Sequence, residues 1–455
     1  MRRALVIGMA VTTLLAPSAA FALDRPARPA ARPDGAPDFG LPAVNLRIEL
    51  DRALGEHAFL SIEAMRRGIA GGPEFEVAAK VLEENTVEVV QLINSTYGEE
   101  AADAFAEQWR NHIAYLVDYT RAVADGDADA RAVAASQLDR YTADFSAFLV
   151  AANPGLPAAV VEGLIAEHVQ QLEQIGNFAD GGFAAAYPAI RHTYAHMFMV
   201  GDGLGLGILQ QFGDRFPGQE TAYGPAVDLR IGLDRLLGEH TYLAASAMRA
   251  RLTDADDLDA AVDALASNSE DLGAAIGEIY GAGARTAFDT LWQRHTALYL
   301  DYVGAVANDD VAAAEQALAG LRQYRSDFSE FLSQANPFLD ADQLNALLAA
   351  HTNHLVAQVE AYADGEYESA YGALREAYAH TESLAAALAG AIADQFPQRF
   401  PDTALVAGRS SAPTLPIALG LISVLAAWVL STRGPRSWRG VGLVNDRVLR
   451  SRHVK

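Results

Sequence analysis

Apolar residues recur along this chain at i, i+3, i+4 and i+7, in stretches of about 20 to 30 residues divided by Gly, Pro, Asn and Asp. In 46–68 the stripe is Leu50, Leu54, His57, Leu60 and Met65. Five further stretches follow at 74–96, 99–124, 128–152, 157–178 and 183–212. Between them stand Gly71-Gly72-Pro73, Gly98, Asp125-Gly126-Asp127, Asn153-Pro154 and Asp180-Gly181-Gly182, all of which stop or start helices. No comparable run alternates with period two, so the pattern predicts helices and no sheet.

The pattern then repeats. LRIELDRALGEHAFLSIEAM at Leu46–Met65 returns 183 residues later as LRIGLDRLLGEHTYLAASAM at Leu229–Met248, the mark of an internal duplication. The predicted fold is all-α: two tandem homologous antiparallel helical bundles of about six helices each, at 44–217 and 227–401, joined by a linker at 218–226. The chain ends add more. Residues 1–22 carry Arg2-Arg3, an apolar run and Ala20-Phe21-Ala22, which reads as a signal peptide, and 23–43 reads as a disordered linker. After a second linker at 402–413, residues 414–432 hold no charge and match one transmembrane helix. The basic tail 433–455 belongs in the cytoplasm by the positive-inside rule, which gives a single-pass type I protein of the cell membrane with extracytoplasmic repeats. So short a tail would need a separate protein partner for any signalling.

Charge and composition narrow the function. The net charge is −24, and removing the basic ends leaves −32 on the body, which argues against nucleic acid and favours cations. With no cysteine, a metal would need His, Met or carboxylate ligands.

Ten of eleven histidines lie in the repeats, and four pairs are in register: His57 with His240, His112 with His295, His168 with His351, and His196 with His380. The second helices keep six identities in 25 positions, so the histidines have outlasted considerable drift between the two copies. Each sits mid-helix on an apolar stripe of a different helix, an arrangement that predicts four rings converging in each bundle. Glu56 and Glu239 beside the first histidines, Asp144 and Asp327 on the fourth helices, and Met65 and Met248 further along the first stripe are candidate supporting groups or extra ligands. Asn85 and Asn268 are further candidate partners. The readings are a transition-metal site, copper favoured; a structural histidine layer without ligand; a non-covalent haem site; and a proton-sensing layer. Gly201, Gly203, Gly205 and Gly207 alternate in the sixth helix and read as close packing rather than a phosphate loop.

Leu-Gly-Glu-His-x-x-Leu, Trp-x-x-His-x-x-x-x-x-Asp-Tyr (Trp109 to Tyr119, Trp292 to Tyr302) and Asp-Phe-Ser-x-Phe-Leu (Asp144–Leu149, Asp327–Leu332) resemble a group of secreted bacterial tandem helical-repeat proteins, some described as copper amine oxidase-like. The Asn-Tyr-Asp/Glu-Tyr sequence from which such oxidases make their cofactor is absent. The resemblance therefore implies copper and not amine oxidation. Four neutral nitrogens would close a coordination sphere, so the expectation is a binding protein for sensing, storage or handover rather than an enzyme.

Overall fold

The computed structural model describes residues 38–401. Residues 1–22, read above as a signal peptide, most of the first linker, residues 402–432 with the expected membrane span, and the basic tail lie outside the described residues. Among the described residues no helix is long and apolar enough to cross a membrane.

Thirteen α-helices account for the fold, with no strand among the described residues. The first bundle is α1 (Pro42–Ala70), α2 (Glu74–Tyr97), α3 (Glu99–Asp125), α4 (Ala128–Ala152), α5 (Ala158–Glu173) and α6 (Phe183–Gln211). A four-residue helix α7 (Gln219–Ala222) sits in the linker. The second bundle is α8 (Pro225–Thr253), α9 (Leu258–Tyr280), α10 (Ala282–Ala307), α11 (Val311–Ala335), α12 (Ala341–Ala363) and α13 (Tyr367–Gln395). The helix order follows the predicted pattern, with two local differences. The first helix begins earlier, at Pro42, because proline at a helix start gives up an N–H that has no intrahelical partner anyway. The fifth is shorter, and a 3₁₀ segment over Gln174–Asp180 carries the chain on.

Local chemistry sets the helix ends. Asp127 and Asp310 accept hydrogen bonds from the amides of Ala130 and Ala313, capping α4 and α11. Gly98 and Gly281 adopt φ of 87° and 89°, which lets α2 run into α3, and α9 into α10, with one residue between.

Helices α1 and α8 are the central rods, buried on nearly every face. Helix α6 packs along α1, and α13 along α8. The alternating glycines serve this packing: a Cβ on Gly201 would stand 2.9 Å from the Cα of Asp51 in α1. The two bundles belong to one compact unit, and several of the contacts between them are reciprocal, as about a twofold axis. Phe59 stacks on its own counterpart Tyr242, with centroids 4.4 Å apart and planes at 15°. Tyr194 meets its counterpart Tyr378 at 3.4 Å between hydroxyls. Tyr187 donates to Asp257 (2.9 Å), and Tyr371, its counterpart, donates to Glu74 (3.0 Å).

Candidate metal centre

Within each bundle three of the four predicted histidines meet. His57 on α1, His112 on α3 and His168 on α5 bring their ligating atoms within 4.8 Å of one another, and His240, His295 and His351 on α8, α10 and α12 do the same. The convergence follows from helical register. Each ring is on the inward stripe near mid-helix, and neighbouring helices bring those levels together. Nε2 of His57 and Nε2 of His112 are 3.2 Å apart, a hydrogen bond between the two neutral rings. Two imidazole ligands about 2.0–2.1 Å from one tetrahedral ion would be separated by about 3.4 Å, so this pair is close to ligand spacing.

Aromatic side chains fix the rings. The His57 ring lies 4.5 Å from Trp109, and His112 stacks on Tyr141 at 5.0 Å. In the second bundle His240 lies 4.8 Å from Trp292, and His295 stacks on Tyr324 at 4.9 Å.

Burial keeps the triads neutral. All six rings are less than a tenth exposed. Desolvation lowers His112, His240, His295 and His351 to about 3, and pushes His57 and His168 well below the usual range. Neighbouring histidines add to this for His57, His168, His240, His295 and His351. The Trp109 backbone works weakly in the opposite direction at His112, as Asn268 does at His240. Neutral imidazole is the ligating form. Both ring nitrogens of His168 and of His240, and Nδ1 of His57, His112, His295 and His351, have no hydrogen-bond partner of normal geometry among the described residues. In each bundle, neutral imidazoles packed together with this many idle nitrogens form a donor set that could hold an ion.

The fourth histidines are placed elsewhere. Nε2 of His196 donates to the carbonyl of Leu164 at 2.8 Å, and Nε2 of His380 to that of Leu347 at 2.9 Å. Each carbonyl lies one helical turn before a triad histidine, His168 or His351, so the fourth pair braces the turn that carries a triad ring. Helix α6 is buried against both α1 and α5, so its stripe alone did not fix which neighbour His196 would face.

The other predicted helpers also sit differently. Glu56 turns away from the triad. It accepts from Asn85 (3.2 Å), from Tyr242 of the other bundle (3.2 Å), and from Arg375 of the other bundle through two bonds of 3.0 Å. Glu239 mirrors it, with Asn268 at 2.8 Å and Arg191 at 2.9 and 3.2 Å. Asp144 is exposed, and Asp327 is half-buried and bonded to Arg294 at 2.8 Å, because α4 and α11 turn Tyr141 and Tyr324 inward instead. Met65 and Met248 are buried, but eight residues of helix set each about 12 Å from its histidine. Met248 lines a separate cavity between the bundles.

The motif Leu-Gly-Glu-His thus divides into four roles. Leu54 lines an apolar cavity beside the triad, and His57 belongs to the triad. Glu56 reaches across to the other bundle. Gly55 admits aromatic rings of α6: a Cβ there would lie 2.5 Å from Phe198 and 3.0 Å from Tyr194.

Each triad borders such a cavity. One, of about 60 Å³, is lined by His112, His168, Trp109, Phe105, Leu54 and Met197 among others. The other, of about 80 Å³, is lined by His240, His295, His351, Trp292, Leu237 and Thr381 among others. Pockets that take cofactors and drug-sized ligands hold about 300–1,000 Å³. The space beside the triads lies below that range and suits an ion and a small molecule. Met197 was not singled out by spacing. The signal was available in the α6 stripe Met197, Val200, Leu204 and Ile208, all four of which line the first cavity.

Comparison with protein-family models, with curated proteins and with solved structures finds no match for this chain.

Proposed function

We propose that each bundle binds one transition-metal ion through its histidine triad, and that the protein serves in sensing, storing or handing over that ion at the outer face of a membrane. The observation that carries this reading is the pair of buried, neutral imidazole triads in which eight of the twelve ring nitrogens lack partners among the described residues. A layer kept only for helix register would have those nitrogens in hydrogen bonds. Copper is favoured because the donors are imidazoles in apolar surroundings, with no carboxylate in either triad, a set that suits copper better than magnesium, calcium or manganese. The acidic body adds a general field that concentrates cations around the molecule.

The test is metal content of the purified protein after loading with copper and removal of excess. The expected result is one ion per bundle, with His57→Ala and His240→Ala each removing one while helicity stays unchanged. A protein that retains no stoichiometric metal would overturn the reading and leave the triads as packing.

A further inference from the structure

The two cavity walls correspond residue by residue. Leu50, Leu54, Ile165 and Val200 in the first stand where Leu233, Leu237, Leu348 and Leu384 stand in the second. Within this shared apolar lining one replacement changes the donor chemistry beside the triad. The first cavity has Met197, and the second has Thr381.

Met197 is 3% exposed and shares its cavity with His112 and His168. Its thioether is a soft donor with no proton to lose, suited to a monovalent copper ion. Thr381 offers a hard hydroxyl instead, and that hydroxyl donates to the Tyr378 carbonyl of its own helix at 2.6 Å. A second difference lies at the first histidine of the triad. Ser61 places Oγ 3.4 Å from Nε2 of His57, and its counterpart in the second bundle is Ala244. The bundles are therefore copies in architecture but not in the groups beside the triads.

We infer that the two centres are chemically distinct: Met197 is the fourth ligand of the first, which is a closed three-histidine, one-thioether site for monovalent copper, whereas the second keeps its fourth position for a small neutral molecule entering through the apolar cavity. This rests on the metal reading above. A space of about 80 Å³ lined by Leu, Phe and Trp admits a diatomic molecule and disfavours hydrated anions.

The test uses the full chain loaded anaerobically with monovalent copper. X-ray absorption should show half a sulfur neighbour per copper on average in the unaltered protein, and none in Met197→Leu, which conserves volume. Carbon monoxide should give a single carbonyl infrared band, arising from the second centre. Met197→Thr should add a band at the first centre, and Thr381→Met should abolish the original one. These two changes move in opposite directions, so loss of folding cannot imitate the pair. If both bundles take copper but no sulfur is seen, or if both bind carbon monoxide in the unaltered protein, the distinction between centres is overturned while the metal reading stands. If neither bundle takes copper, the metal reading falls and the inference with it.

Discussion

Asp51 sits in the middle of α1 with no exposure, and neither carboxylate oxygen makes a hydrogen bond of normal geometry among the described residues. Burial raises its pKa well above the usual carboxylate range. The nearby Asp202 and Asp234 carboxylates add to this, and Arg47 opposes it. Linkage fixes the sign. The folded chain keeps a proton on Asp51 that the unfolded chain has already released, so this contribution to stability is complete below about pH 4 and is lost as pH rises through the folded pKa. Asp51→Asn keeps the volume and removes the titration. The variant should gain about 1 kcal/mol or more at pH 7, with little gain at pH 4, in denaturant melts at the two pH values. An equal change at both would show that Asp51 does not titrate as described. The same residue shows where sequence reading stopped. Asp51 and Arg52 look like ordinary polar positions opposite the Leu50–Leu54 stripe, because a stripe identifies the face toward one neighbour only. Helix α1 has neighbours on every side, among them α2, α3, α6 and α8. Hence the histidines of the triads were visible in the pattern, whereas the burial of Asp51 and the partners of Glu56 and His196 were not.

Between elements, two forked polar ties run from one bundle to the other. Arg375 on α13 forks onto Glu56 on α1 and also reaches Glu88 on α2 at 2.7 Å. Arg191 on α6 forks onto Glu239 on α8 and reaches Asp271 on α9 at 2.6 Å. Glu56 is 5% and Glu239 is 1% exposed, so removing either arginine leaves a buried carboxylate without its counter-charge. Arg375→Ala should cost about 3 kcal/mol, the low end for breaking a buried pair, since the Arg375 side chain keeps 18% exposure. Adding Glu56→Gln should restore part of the loss, because the neutral amide no longer demands a counter-charge. Urea unfolding measures both; a single-mutant cost under about 1 kcal/mol would mean that the fork is only peripheral. At this scale the sequence was most informative about helices and least about their partners. Gly98, Asn85 and Tyr97 are three of the six identities between the otherwise diverged second helices. Each has a local role in the structure. Gly98 makes a tight junction, Asn85 donates to Glu56, and Tyr97 ties to Gln211 at 2.9 Å. Such short-range needs leave a trace in both copies. A contact between bundles is encoded in two distant segments at once, which periodicity does not connect.

At the scale of the molecule, the interface between the bundles is built almost as a homodimer interface is. Phe59 faces its equivalent Tyr242, and Tyr194 faces its equivalent Tyr378. Arg375 holds Glu56 while its equivalent Arg191 holds Glu239. In a closed twofold contact each patch must complement itself, and these pairings meet that condition position by position. The second bundle alone, residues 225–401, contains both halves of each pairing: Tyr242, Tyr378, Arg375 and Glu239. Two copies can therefore place Tyr242 on Tyr242 and exchange Arg375 with Glu239 across the contact. A solitary copy would expose Tyr242 and Tyr378, which are only 2% and 3% exposed in the intact chain, and leave the buried Glu239 without its arginine. The isolated second bundle should accordingly be a dimer in analytical ultracentrifugation, with Glu239→Arg shifting it to monomer by setting like charges against each other. A well-folded monomer at micromolar concentration would contradict this, and would mean that each bundle is stable without the shared face. The tandem arrangement then has a physical consequence beyond doubling the sites. Covalent linkage makes the dimer contact intramolecular, so it no longer depends on concentration, and it frees each copy to change on its own. Only within one chain can Met197 and Thr381 diverge at equivalent positions while both copies remain in every molecule.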